Sequence, residues 1–216
     1  MVPEFDWPQI DTVLLDMDGT LLDLEFDSHF WLSLVPQALS ERRAIPFDEA
    51  RHIIEREYQA VQHTMNWYCF DYWSERLDLD IYRMTSEVGS RARLREDTEP
   101  FLRALRGAGL QTILLTNAHP HSLAVKIEHT GLDRHLDLLF STHTFGYPKE
   151  DQRLWQAVQQ HTGSTRSARC LSTTASRSST RRALSAFVTA WACKTRTPAR
   201  RRKASSAIRR CATIAC

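Results

Sequence analysis

Thr12-Val13-Leu14-Leu15-Asp16-Met17-Asp18-Gly19-Thr20 is a short apolar run that breaks off into two acids and a glycine. A strand buried on both faces of a parallel sheet has this form, and the carboxyl end of such a strand is where open α/β sheets place their ligands. In an extended segment residues i and i+2 point to the same side, so Asp16 and Asp18 face one site. Two acids so placed can divide the work: one attacks as a nucleophile, the other protonates a leaving oxygen and later activates water. Their summed charge calls for a hard cation, Mg²⁺.

Outward from this segment the pattern repeats. Gln111-Thr112-Ile113-Leu114-Leu115 is a second strand candidate running into Thr116-Asn117, and Leu136 to Ser141 is a third, leading to Gly146-Tyr147-Pro148-Lys149. A helical segment, Pro100 to Arg106, precedes the second strand, and an amphipathic helix from about His121 to His129, stopped by Gly131, follows it. Strands alternating with helices predict an α/β fold with a doubly wound parallel sheet.

Some 70 residues of mainly helical pattern lie between the first two strands, with Ile53, Ile54, Glu57, Tyr58 and Val61 at helical spacing. Trp67, Tyr68, Phe70, Tyr72 and Trp73 put five aromatics into seven residues. The block reads as a helical lid over the carboxyl edge of the sheet. Its aromatics either form the lid core or stack on a flat substrate, and Trp67 and Trp73 are the stacking candidates.

Charge divides the chain in two. Residues 1–151 hold all 26 acidic residues and 14 Lys/Arg; residues 152–216 hold the other 14 basic residues and no acid. Of the 53 residues from Ser164 to Cys216, 41 are Arg, Lys, Ser, Thr or Ala, so this tail is a different kind of sequence from the body. The amino-terminal residues show neither the basic nor the apolar region of a signal peptide, and no apolar run approaches the roughly 18–20 residues that span a bilayer. Five cysteines without a CxxC pair fit a reduced protein. These features predict a cytoplasmic protein with no membrane partner.

Asp16-Met17-Asp18-Gly19-Thr20-Leu21-Leu22-Asp23 resembles the first motif of the haloacid dehalogenase (HAD) phosphohydrolase superfamily. Leu114-Leu115-Thr116-Asn117 is similar to its second and Gly146-Tyr147-Pro148-Lys149 to its third, in the same order and with a helical cap of matching size. Residues 9–163 further resemble the bacterial GMP/IMP 5′-nucleotidases of that superfamily, including Gln62 to Cys69 and Thr116-Asn117-Ala118-His119-Pro120-His121. The resemblance implies a core formed by residues 1–23 and 96–163, a cap over 24–95, and Mg²⁺-dependent hydrolysis of a purine nucleoside monophosphate. It implies an aspartyl-phosphate on Asp16, with Asp16 and Asp18 as metal ligands and Asp18 as acid/base. Thr116 and Asn117 would hold the phosphoryl oxygens, Lys149 would neutralise their charge, and His119 would stand near the phosphate or the lid. The alternatives are a sugar-phosphate phosphatase and an inactive phosphatase-like protein with a nucleic-acid-binding tail.

The same resemblance leads one to expect a fourth, acidic motif roughly 20–30 residues after Lys149, yet no acid follows Asp151. Arg169-Cys170-Leu171-Ser172-Thr173-Thr174 stands there instead. Codons chosen for Ser172 to Ala183 can be read, one base out of phase, as Asp-Asp-Ser-Glu-Pro-Ile-Leu-Asp-Ala-Ala-Arg. Residues 164–216 therefore read as a frame-shifted carboxyl terminus with little regular structure, in preference to a solvated extension or a basic arm for nucleic acid. Loss of the acids predicts weak Mg²⁺ binding and impaired turnover.

Overall fold

A computed structural model describes residues 11–162; the tail, and the fourth motif expected in it, lie outside the described residues. Three parallel strands, β1 (Thr12–Leu15), β2 (Gln111–Thr116) and β3 (Leu138–Ser141), form one sheet in the order β1-β2-β3. The alternation of their side chains builds two cores. Val13, Leu15 and Leu114 face one side, where Leu102, Leu105 and Leu123 complete a cluster. Leu14, Ile113 and Leu115 face the other, against Trp155, Leu154 and Val158. Helices thus cover both faces, which is why Val13-Leu14-Leu15 and Ile113-Leu114-Leu115 are apolar at successive rather than alternate positions.

Between β1 and β2 the chain makes a helical layer: α1 (Glu25–His29), a π-helical turn (Phe30–Leu34), α2 (Val35–Arg43), α3 (Phe47–Val61), α4 (Met65–Tyr68), α5 (Phe70–Leu77) and α6 (Ile81–Glu87). This layer has its own core of Phe30, Leu39, Ile54, Phe70, Trp73, Leu77 and Ile81. Its two ends run side by side: Asp23 N–H donates to the Arg93 carbonyl at 3.1 Å and Arg95 N–H to the Leu21 carbonyl at 3.0 Å. The chain then enters α7 (Thr98–Gly107), β2, α8 (Pro120–Thr130), β3 and α9 (Gln152–Thr162). Where the sequence shows one aromatic block there are two short helices, because Cys69 is extended (φ −86°, ψ 120°) and breaks the run. Cys69 is a buried free thiol.

Candidate active site

The loop after β1 is set by its alternation and one glycine. Met17 is fully buried in the sheet core, which turns Asp16 and Asp18 to the opposite side. Gly19 takes a left-handed φ of +74° and its N–H donates to the Leu22 carbonyl at 2.9 Å, while the Leu21 and Leu22 N–H groups both donate to the Met17 carbonyl at 2.9 Å. The chain folds back at once, leaving both acids at the mouth of the sheet.

Each acid meets a lysine. Lys149 Nζ lies 2.5 Å from Asp16 Oδ1, which also accepts from the Met17 N–H at 2.8 Å. Lys126 Nζ donates to Asp18 Oδ1 at 2.7 Å and to both oxygens of Asp27 at 2.8 Å. Lys126 is only 1% exposed and sits over the Phe26 ring at 4.8 Å from its centroid. Burial works against its charge, but the flanking carboxylates outweigh this and hold its pKa above the ordinary value. Burial pushes the Asp18 carboxyl up to about 7; Lys126 opposes that rise and Asp27 adds to it. An acid near neutrality is matched to giving and taking a proton at physiological pH.

Thr116 ends β2 and its Oγ1 accepts from the Ala118 N–H at 3.1 Å. Asn117 Oδ1 accepts from the Lys149 N–H at 2.9 Å and from Thr142 Oγ1 at 3.1 Å, tying the second loop to the third. Its Nδ2 donates to Glu150 at 3.2 Å, and Tyr68 of α4 donates to the other Glu150 oxygen at 3.3 Å. Burial, with Glu150 beside it, raises the Tyr68 pKa, so the phenol stays a donor. Asp16, Asp18, Thr116, Asn117 and Lys149 are therefore brought to one end of the sheet.

Three expected substrate contacts are packed against protein groups, His119 at the helical layer. Trp73 is 0% exposed, with its ring against Tyr58 at 4.8 Å, Tyr72 at 5.2 Å and Trp31 at 5.8 Å, and its Nε1 donates to the Trp67 carbonyl. It is a core residue of the helical layer and has no face for a ligand. Trp67 is stacked on Tyr58 at 5.6 Å and on His63 at 6.2 Å. His119 is 6% exposed: its Nδ1 caps α8 by accepting from the His121 N–H, and its ring stacks on Phe70 at 4.6 Å. It joins the helical layer to the sheet rather than facing the acids, and burial, aided by His143, lowers its pKa to about 4.

Lys126, Asp27, Glu150 and Tyr68 are the site's neighbours that sequence reading missed. Lys126 left a signal: it shares the inward stripe of α8 with Ser122 and Leu123. Among the described residues no three His, Cys, Asp or Glu side chains converge as a metal site. The donors at the site are nonetheless all oxygen, and two carboxylates suit Mg²⁺, which binds through one or two carboxylates together with phosphate and water.

A family model for haloacid dehalogenase-like hydrolases matches residues 10–171. The chain is 66% identical over 157 residues to the GMP/IMP nucleotidase YrfG of Escherichia coli (strain K12), covering 73% of this chain and 71% of that protein. It is 26% identical over 167 residues to an (S)-2-haloacid dehalogenase of Pseudomonas sp. (strain YL), over 74% of this chain and 72% of that one. In fold it resembles a HAD phosphatase from Thermococcus onnurineus, with a TM-score of 0.67 and 23% identity over 76% of this chain and 78% of the other. With its paired acids at the end of β1 and a matching model over three quarters of its length, this chain belongs to the haloacid dehalogenase-like hydrolases.

Proposed function

We propose that this chain is a phosphomonoester hydrolase of purine nucleoside 5′-monophosphates, GMP and IMP, working through an aspartyl-phosphate with Mg²⁺. The observation that carries the reading is the pairing of Asp16 with Lys149 at 2.5 Å, beside an Asp18 held by Lys126 at 2.7 Å. The 66% identity to a GMP/IMP nucleotidase supports the substrate class.

In this mechanism a carboxylate oxygen of Asp16 attacks phosphorus as the bond to the 5′-oxygen breaks. Asp18 gives its proton to that oxygen, so the nucleoside leaves neutral. Asp18, now ionised, takes a proton from water, whose oxygen attacks phosphorus; phosphate departs and Asp16 and protonated Asp18 are restored. Lys149, with Thr116 and Asn117, neutralises and positions the phosphoryl oxygens. Mg²⁺ held by Asp16 and the Asp18 backbone carbonyl would supply further electrostatic stabilisation of those oxygens. Residues 24–95 act as the cap that covers the site.

Because residues 152–216 contain no Asp or Glu, the acid donors for the metal are limited, and turnover is expected to be low. The test measures phosphate release from GMP, IMP and ribose 5-phosphate with and without Mg²⁺, beside the E. coli nucleotidase. Weak, Mg²⁺-dependent release that disappears in Asp16→Asn is expected. Release that survives Asp16→Asn would overturn the nucleophile assignment, and turnover equal to that of the relative would overturn the impairment.

A further inference from the structure

Tyr58, Trp67 and His63 form a run of near-parallel rings, with interplanar angles of 21° and 22°. Tyr58 is the inner end, packed edge-on against the buried Trp73. His63 is the outer end and is exposed. It sits in the turn after α3, where Thr64 N–H and Oγ1 both bond the Val61 carbonyl, and it holds a left-handed φ of +65°. Few residues other than glycine, asparagine, aspartate and histidine take that conformation readily. The turn spends it on putting an imidazole at the head of an aromatic stack.

His63 also lines a cleft of about 560 Å³, with Thr64 and Met65 beside it and Pro148, Glu150 and Arg153 across from it. That volume lies in the usual range for a small-molecule site. Glu150, on the wall of this cleft, accepts from Asn117 Nδ2 at 3.2 Å, and its chain neighbour Lys149 holds Asp16, so one wall of the cleft is tied directly to the site.

Resting on the phosphohydrolase reading above, we infer that the exposed ring of His63 is the platform on which the substrate's heteroaromatic base stacks, making His63 a specificity-determining residue. Trp67 and Tyr58 back the imidazole and hold its plane. A sugar phosphate has no π-face and gains nothing from the column, whereas a purine extends it by one ring.

The experiment is calorimetric titration of the full chain, in Mg²⁺ buffer, with GMP, IMP and ribose 5-phosphate. His63→Asn is the variant, since asparagine accepts the left-handed backbone but carries no ring. Wild type should prefer GMP and IMP, and His63→Asn should weaken both by roughly 5- to 100-fold, as expected for a lost base–aromatic stack. Ribose 5-phosphate binding should not change. Unaltered GMP affinity in His63→Asn, or equal loss of GMP and ribose 5-phosphate, overturns the proposal. Wild-type chain that binds GMP and ribose 5-phosphate equally overturns the stacking alone; wild-type chain that binds neither overturns the phosphohydrolase reading with it.

Discussion

Lys126 and Asp18, 108 residues apart in sequence, form a 2.7 Å ion pair in which the lysine is 1% exposed and the aspartate 23%. Asp27 completes it from α1, so one ammonium joins the acid of the β1 loop to the first helix of the helical layer. Burying a lysine is costly unless its charge is matched, and here two carboxylates match it. Lys126→Met leaves those carboxylates facing each other without a cation. The expected cost is about 3–5 kcal/mol of folding stability, read by urea denaturation. Lys126→Met with Asp27→Asn should recover part of that loss, because one of the two repelling charges goes.

Lys149, paired with Asp16, is the residue proposed above to meet the phosphoryl oxygens. Lys149→Ala should lower affinity for orthophosphate by about tenfold or more, the effect of losing one hydrogen bond to a charged group. Titration of the full chain with phosphate checks this. Equal affinity in the variant would show that Lys149 serves only to hold Asp16.

Trp73 separates the two readings of the aromatic block. With no exposed surface and three aromatic neighbours, it contributes packing. Trp73→Ala should therefore cost about 3–5 kcal/mol of stability, as large-to-small changes in a core do, rather than discriminate between ligands. Thermal unfolding of the variant, and its relative affinity for GMP and ribose 5-phosphate if it folds, are the measurements.

These residues also show where sequence stops being informative. The β1 strand and the facing of Asp16 and Asp18 were legible because both depend on local alternation, and Met17 inside the core enforces it. Asn117 and Lys149 follow strand ends, so topology carries them to the same edge as Asp16. Lys126 was not legible as a partner of Asp18, because nothing local specifies which of many carboxylates a helical lysine will meet. Neither could the aromatic block be sorted from its spacing: Cys69 breaks the helix between Trp67 and Trp73, so no single helical period runs through both. His119 was expected near the phosphate or the lid; Pro120 at the first position of α8 makes it the helix cap, and its ring lies against Phe70 of the helical layer.

His119 makes acid sensitivity testable. Its pKa falls from 6.5 unfolded to about 4 in the folded chain, because burial disfavours the imidazolium and His143 adds like charge. Between those values the unfolded chain binds more protons than the folded one, so stability rises with pH and is lost on acidification. The loss begins near pH 6.5 and is complete near pH 4, on the order of 3 kcal/mol from this residue. His119→Asn keeps an acceptor at the helix cap and removes the titration. Urea denaturation from pH 7 to 4 should show a steeper loss in wild type than in His119→Asn, even if the variant is less stable at pH 7 through its missing stack on Phe70. Parallel curves would mean that His119 is protonated as easily in the folded chain as in the unfolded one, and that the Phe70 contact does not keep water from the ring.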